Sequence, residues 1–123
     1  MIIAVINYFY KPNQKAVDAG RKWWREIAKI ADKGGLHGEF LSVPIPAENF
    51  DFPVDDLHSP HDEYWRYTNF GLWEDYEWFE QEIVPKISGK VEPFEAKPRE
   101  RSIFSVREVR LGGWLSLPDP TCE

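Results

Sequence analysis

An asparagine interrupts the most apolar run of the chain. Asn7 lies within IIAVINYFY, residues 2–10, where every other side chain is aliphatic or aromatic. A buried amide costs free energy unless its donor and its acceptor are both matched. Asn7 is therefore a catalytic candidate, as a group that orients a substrate carbonyl or dioxygen. The alternative is a structural side chain bonded to neighbouring backbone.

Two arginines, Arg66 and Arg107, interrupt strand-like segments further along the chain. A guanidinium inside a barrel can hold a carboxylate or an enolate through two parallel hydrogen bonds. Arg66 is the second catalytic candidate, and ion pairing of the arginines with Glu39 or Glu108 is the alternative. Period-two alternation predicts that Arg66 shares its face with Tyr64, Thr68 and Phe70.

Two histidines, His58 and His61, lie three residues apart in DDLHSPHDEYW, residues 55–65. An imidazole titrates near neutral pH and can serve as a general base, which makes His61 the third catalytic candidate. The same residues and their acidic neighbours could bind a divalent cation. Because the spacing identifies no third ligand, we predict no metal site, and a solvated acidic loop is the alternative.

Aromatic and acidic side chains are dense in YTNFGLWEDYEWFEQEI, residues 67–83. The acids come where a helix would begin, and the helix dipole favours negative charge there, so we predict a structural role for them. The aromatic groups are expected to form core and pocket wall. The candidates for substrate binding are Tyr67, Phe70, Trp73 and Trp24.

Periodicity assigns these candidates to four strands and two helices. The predicted strands cover residues 2–10, 36–44, 64–71 and 101–111. The first helix is capped by Asn13 and stops at Gly34 and Gly35, and the second begins at Glu74 and ends near Pro85 and Gly89. Residues 1–111 then form one domain, and residues 112–123 form a C-terminal arm.

A long connection, residues 45–63, separates the second and third predicted strands. Loops of this length in a compact domain are uncommon unless they cover something. Its prolines restrict the unfolded chain, and Phe50 and Phe52 would be costly to leave in water. We predict that this loop covers a pocket mouth or crosses to a partner subunit, with both rings anchored.

The order of elements predicts a ferredoxin-like β-α-β-β-α-β fold of the α+β class. Helices on one face of such a sheet leave the other face in need of cover. With FGLWEDYEWFEQEI, where a strand ends in tryptophan before an aromatic-centred helix, the chain resembles the dimeric α+β barrel superfamily. Within it, the chain is similar to proteins of the antibiotic-biosynthesis-monooxygenase type. The resemblance implies two sheets that close on each other.

The same resemblance bears on cofactors. The family includes cofactor-independent oxygenases, haem-degrading enzymes and proteins of no known activity. Its haem degraders use an asparagine on the first strand, a tryptophan at the end of the third and a histidine on the next helix. Asn7 and Trp73 stand at matching places, but Ile83 stands about where the histidine is expected. No cofactor is therefore expected.

Composition limits the partners and the compartment. The net charge of −6 argues against nucleic acid or an anionic membrane surface as the main partner. No segment approaches the roughly 20 apolar residues of a membrane span, and the single cysteine, Cys122, allows no intrachain disulfide. Aromatic residues make up 15% of the chain, which favours self-association. The expectation is a cytoplasmic homodimer.

Two functions follow as expectations. The first is small-molecule binding by a dimeric barrel that acts as a cofactor-independent, monooxygenase-like enzyme on an aromatic or polyketide-like substrate. The second is a non-catalytic binding or assembly protein with the same fold. Roughly 300 Å³ or more of enclosed space lined by Asn7 and Trp73 would favour the enzyme.

Overall fold

The computed structural model describes residues 1–31, 35–58, 62–84 and 91–113. Its strands are β1 (Ile2–Tyr10), β2 (Leu36–Ser42), β3 (Trp65–Trp73) and β4 (Glu95–Ser105). Helix α1 spans Gln14–Ala31, and helix α2 begins as Tyr76–Trp78 and continues with π-helical geometry over Phe79–Ile83. Four predicted features lie outside the described residues: the glycine stop at Gly34, the base candidate His61, the helix end at Pro85 and Gly89, and the arm beyond residue 113.

Helix α1 begins where the sequence predicts, because Asn13 caps it. The Asn13 side-chain Oδ1 accepts a hydrogen bond of 2.8 Å from the Ala16 backbone N–H, which satisfies one of the unpaired amides of the first turn. Further along, Gly20 lies against the ring of Tyr10. A Cβ at Gly20 would stand 2.5 Å from Tyr10 Cζ, so the missing side chain lets the helix approach β1 closely.

The four strands form one antiparallel sheet in the order β2-β3-β1-β4. Two strand-helix-strand connections place β1 and β3 at the centre of the sheet, which is the ferredoxin-like arrangement that the element order predicts. The two central strands carry most of the apolar residues of the sheet. The α+β class and the broad topology are thus confirmed within a single open sheet.

Strand β4 differs from the prediction by six residues at each end. The sequence predicts residues 101–111, whereas the strand spans Glu95–Ser105. Pro98 suggested a linker, but β4 is an edge strand, and its register shifts between Asn7 and Phe9 of β1, opposite the segment that contains Pro98. An edge strand tolerates proline at a bulge because no ladder hydrogen bond needs its missing N–H.

The acids after β3 organise the start of α2. Asp75 is the N-cap, and its carboxylate accepts a hydrogen bond of 2.7 Å from the Trp78 backbone N–H. Oε2 of Glu74 lies 2.6 Å from Nε2 of His37 on β2. The prediction of a helix-start role is confirmed for Asp75, and the pair of Glu74 and His37 joins the helix start to the sheet edge.

The core lies between the helices and one face of the sheet. Its largest fully buried side chains include Trp73 and Phe79, whose rings are 5.2 Å apart. Tyr10 of β1 and Val17 of α1 are also fully buried. Burial raises the pKa of Tyr8 and Tyr10, because both phenols would have to ionise away from water. None of the helices in the described residues is long and apolar enough to cross a membrane.

Candidate functional site

The sheet has two faces with different surroundings. One, the helix-covered face, presents alternate β1 side chains from Ile2 to Tyr10 to the core. The strand register assigns Tyr67 and Trp73 to this face, since they pair with Tyr8 and Ile2. On the opposite, open face the register brings together Asn7, Arg66 and Phe70. Alternation thus divides the sequence-predicted site residues into two groups.

The open face carries a cavity of about 470 Å³, here called the open-face cavity. Asn7 and Arg66, two of the three catalytic candidates, line it together with the predicted binding residue Phe70. Pro44, two residues after the end of β2, and Leu57 of the long loop form part of its wall. The remaining lining residues are Val5, Ser42, Val43 and Thr68.

One of the two hydrogen-bonding groups of the Asn7 side-chain amide has a partner within the protein. Its side-chain oxygen accepts a hydrogen bond of 2.7 Å from the hydroxyl of Thr68, its direct neighbour on β3. No described residue accepts from the Asn7 amide nitrogen. The structural alternative raised by the sequence therefore accounts for one end of the amide, although the partner is a side chain and not backbone. The amide nitrogen at the other end faces the cavity without a partner among the described residues.

A row of polar side chains crosses the open face at this point. Glu100 of β4 pairs with Asn7, Asn7 pairs with Thr68, and Thr68 pairs with Ser42 of β2. Directly paired residues of antiparallel strands project to the same face. The cavity thus contains hydroxyl and amide groups beside the apolar side chains of Val5 and Phe70.

Positive charge gathers at the same end of the sheet. Phe9 of β1 is fully buried. Lys97 Nζ lies 4.1 Å from the centroid of its ring, and Arg66 Cζ lies 5.3 Å from the same point. The Tyr64 ring packs edge-on against Phe9 at 5.0 Å and also contacts Lys97. Cation–π contacts of this kind hold both charges near the surface of the sheet. Lys97 Nζ also lies 3.6 Å from Oε1 of Glu100 in the polar row, so one of the two cations stands beside a carboxylate there.

The long loop contributes Leu57 to the wall of the cavity, and whether it covers a pocket mouth stays a prediction. It contains one short 3₁₀ turn, Ala47–Asn49. The prediction that both of its aromatic rings are anchored is wrong for Phe52, which is 62% exposed. The Phe52 ring packs against Phe50, with centroids 5.5 Å apart, and this local contact leaves most of Phe52 exposed. His58 is exposed.

Trp73 does not line the open-face cavity. It is buried in the core of the helix-covered face and stacks on Trp78 at 5.3 Å. Gly71 makes room for it, since a Cβ there would stand 2.7 Å from the Trp73 Nε1. The expected space is enclosed and lined by Asn7 and Trp73, whereas this cavity is partly open to solvent and only Asn7 of the two contributes to it.

Trp24 and Tyr67 meet in a second cavity on the helix-covered face. This α1 cleft, about 410 Å³, lies between α1 and the β2 side of the sheet. The neighbouring Trp23 turns the other way, to Tyr8 at 5.9 Å and under the Arg99 guanidinium at 4.4 Å. Adjacent positions on a helix point about 100° apart, so the two tryptophans serve different contacts.

The lining of the open-face cavity includes three residues that the sequence analysis does not name as site residues, namely Thr68, Ser42 and Leu57. Thr68 and Ser42 are ordinary strand residues, and only the register shows that they extend the row begun by Asn7. The alternation that joins Arg66 to Thr68 was a usable signal for the first. For Leu57 of the loop the sequence carries none. Arg107, an alternative arginine candidate, lies beyond the end of β4 and is exposed.

The described lining of the open-face cavity combines one guanidinium, one amide and two hydroxyl groups. Such groups bind and orient a ligand with an anionic or carbonyl oxygen. No cluster of three potential metal ligands occurs among the residues that the structure describes. The chain matches no protein-family model and no curated protein, so its function is inferred from these residues.

Proposed function

We propose that this protein binds an aromatic or polyketide-like small molecule in the open-face cavity. The observation that supports it is the meeting of Asn7, Thr68 and Arg66 around one cavity. Val5 and Phe70 offer a flat, apolar surface to the body of the ligand, and the polar row meets its oxygen atoms. Pockets with mostly apolar walls and a few convergent polar groups are typical of small-molecule sites.

The ligand-binding form is a homodimer in this proposal. Three aromatic side chains on the open face are largely exposed, namely Phe40 at 61%, Phe104 at 54% and Phe70 at 44%. A second copy of the same sheet would cover them, in the manner of a dimeric α+β barrel, and would also close the open-face cavity. Two identical faces form a two-fold interface. Apolar surface of this kind provides the main driving force for association.

The reaction proposed for this site is oxygenation without a cofactor. An acidic CH₂ or phenol group loses a proton, and the resulting anion transfers an electron to O₂. Recombination forms a C–O bond and gives a hydroperoxide. Loss of water then leaves a carbonyl, so that CH₂ plus O₂ yields C=O plus H₂O. Arg66 would stabilise the anionic oxygen, and Asn7 would orient it.

The base for this reaction is a separate question. The described lining of the cavity contains no carboxylate and no imidazole, so the proton goes to water, to Glu100 of the neighbouring polar row or to His61, the base candidate from the sequence. This observation favours the second candidate function, in which the protein binds or assembles without catalysis. In that case the exposed aromatic face serves only the dimer.

A matched pair of arginine variants tests the binding site. Native mass spectrometry of freshly purified protein is expected to detect a retained small molecule in the wild type. Arg66→Gln removes the guanidinium of the open-face cavity and is expected to lose the bound mass. Arg101→Gln removes a guanidinium from the helix-covered side of β4 and is expected to keep it. Equal retention by both variants would contradict the site.

Oxygen consumption separates the two candidate functions. Anthrone is a suitable probe, because it is planar, carries an acidic CH₂ and forms anthraquinone and water with O₂. An enzyme of the proposed kind accelerates O₂ uptake with anthrone in the absence of metal or flavin, and Asn7→Leu abolishes the acceleration. Binding of anthrone with uptake at the uncatalysed rate would support the non-catalytic alternative.

A further inference from the structure

The α1 cleft, on the face of the sheet opposite the open-face cavity, combines aromatic walls with two cations. Trp24 of α1 and Tyr67 of β3 line it, and Leu41 and Val43 add apolar surface from β2 and the residue that follows it. Arg21 and Arg25 complete the lining. A cleft of this composition is suited to a flat apolar body that bears a negative charge.

The two arginines are placed to act together. Residues four apart on a helix are neighbours on its surface, so Arg21 and Arg25 project to the same side as Trp24. Within the described part of the chain neither guanidinium makes a hydrogen bond or an ion pair. The nearby carboxylate of Asp18 instead accepts from the Gln14 Nε2 at 2.8 Å.

This pairing of like charges opposes helix stability. Cations at positions i and i+4 of a helix repel each other. The chain has a net charge of −6, yet no carboxylate of the described residues pairs with either arginine. An anion between Arg21 and Arg25 would remove the repulsion. Guanidinium groups present parallel N–H donors that match the two oxygens of a carboxylate.

We propose that the α1 cleft is a binding site for an aromatic carboxylate. The ring lies against Trp24 and Tyr67, and the carboxylate is held by Arg21 and Arg25. A single carboxylate fits better than a polyphosphate, because the cations stand in the middle of α1, where the backbone N–H groups are already bonded within the helix. This site is independent of the function proposed for the open-face cavity.

The proposal is tested by NMR titration of the full-length protein with 2-naphthoate, followed at the indole N–H of Trp24. Trp24→Phe assigns that resonance. Two further probes separate the contributions of ring and charge: 2-naphthylmethanol keeps the ring without the charge, and acetate keeps the charge without the ring. Saturable shifts with 2-naphthoate are expected, with binding of either other probe weaker by about tenfold or more.

Matched variants on α1 assign the charge contribution. Arg21→Gln and Arg25→Gln are each expected to weaken 2-naphthoate binding by about tenfold, since each removes a charge-assisted hydrogen bond. Lys22→Gln removes the same charge from an adjacent exposed position outside the cleft and is expected to change the affinity less than about twofold. Circular dichroism confirms that all three variants keep their helix.

Several outcomes would overturn the proposal. One is the absence of a saturable shift at Trp24 with millimolar 2-naphthoate. Another is equal weakening by Lys22→Gln and Arg25→Gln, which would indicate only general attraction to a basic helix. Binding of 2-naphthylmethanol as tight as that of 2-naphthoate would show an apolar cleft in which the arginines have no role.

Discussion

Gly20→Ala is expected to destabilise the protein although alanine is the better helix former. The added methyl group would stand 2.5 Å from Cζ, 2.6 Å from Cε1 and 3.0 Å from the hydroxyl oxygen of Tyr10. Tyr10 cannot move aside easily, because it is fully buried and packs against the rings of Tyr67 at 5.1 Å and Phe94 at 5.6 Å.

Two opposing effects set the magnitude. Overpacking of a rigid core costs about 2–3 kcal/mol at the upper end of its usual range. Replacing glycine by alanine within a helix contributes about 1 kcal/mol in the other direction. The net loss is then about 1–2 kcal/mol. With an unfolding entropy of about 2.1 cal/mol/K per residue over 123 residues, this corresponds to a fall in Tm of about 4–8 °C.

Thermal and urea denaturation monitored by circular dichroism measure this loss. Ala19→Gly, at the exposed neighbouring position, determines the helix-propensity contribution in the same helix and is expected to cost about 1 kcal/mol. An unchanged or higher Tm for Gly20→Ala would refute the close contact between α1 and Tyr10, and with it the packing that shapes this side of the sheet.

The remaining predictions concern a buried phenol, a helix cap and the open face. Tyr10→Phe should leave stability at pH 7 unchanged or raised, because the Tyr10 hydroxyl has no hydrogen-bond partner among the described residues. Burial raises the pKa of Tyr10 above its unfolded value of about 10. The stability associated with the neutral buried phenol is therefore present below about pH 10 and is lost as the pH rises through the folded-state pKa. Chemical denaturation from pH 8 to 12 should show a smaller alkaline loss of stability in Tyr10→Phe than in the wild type, and an equal loss would contradict this prediction. Asp75→Ala should cost about 1 kcal/mol in urea denaturation through the lost cap, whereas no loss would contradict the capping role. Phe104→Asp should weaken self-association in sedimentation velocity, and unchanged association would argue against an interface on the open face.

Local signals in the sequence were sufficient for much of the fold. The apolar run of β1 and the cap at Asn13 lie where the pattern indicates, and the element order determines the ferredoxin-like topology. The position of β4 was wrong because proline normally excludes a central strand, and the sequence does not reveal that Pro98 belongs to an edge strand. Edge position is a property of the assembled sheet.

The candidate site was only partly predictable for a related reason. Alternation along β3 correctly joins Arg66 to Phe70, and it equally requires that Tyr67 point to the opposite face. Pairing Asn7 with Thr68 needs the register between two strands that are far apart in sequence. Trp73 could be recognised as a large buried group, but its packing against α2 depends on the path of the chain after β3.

The central claim is that the open face of the sheet forms the dimer interface that closes the open-face cavity. Sedimentation equilibrium at micromolar concentration tests it most directly. A chain of 14.5 kDa is expected to sediment as a dimer of twice that mass. Phe40→Asp, on the open face, should convert it to the monomer, whereas Tyr76→Asp, at an exposed position on α2, should leave the dimer intact. A wild-type protein that sediments at 14.5 kDa throughout the concentration range would contradict the account.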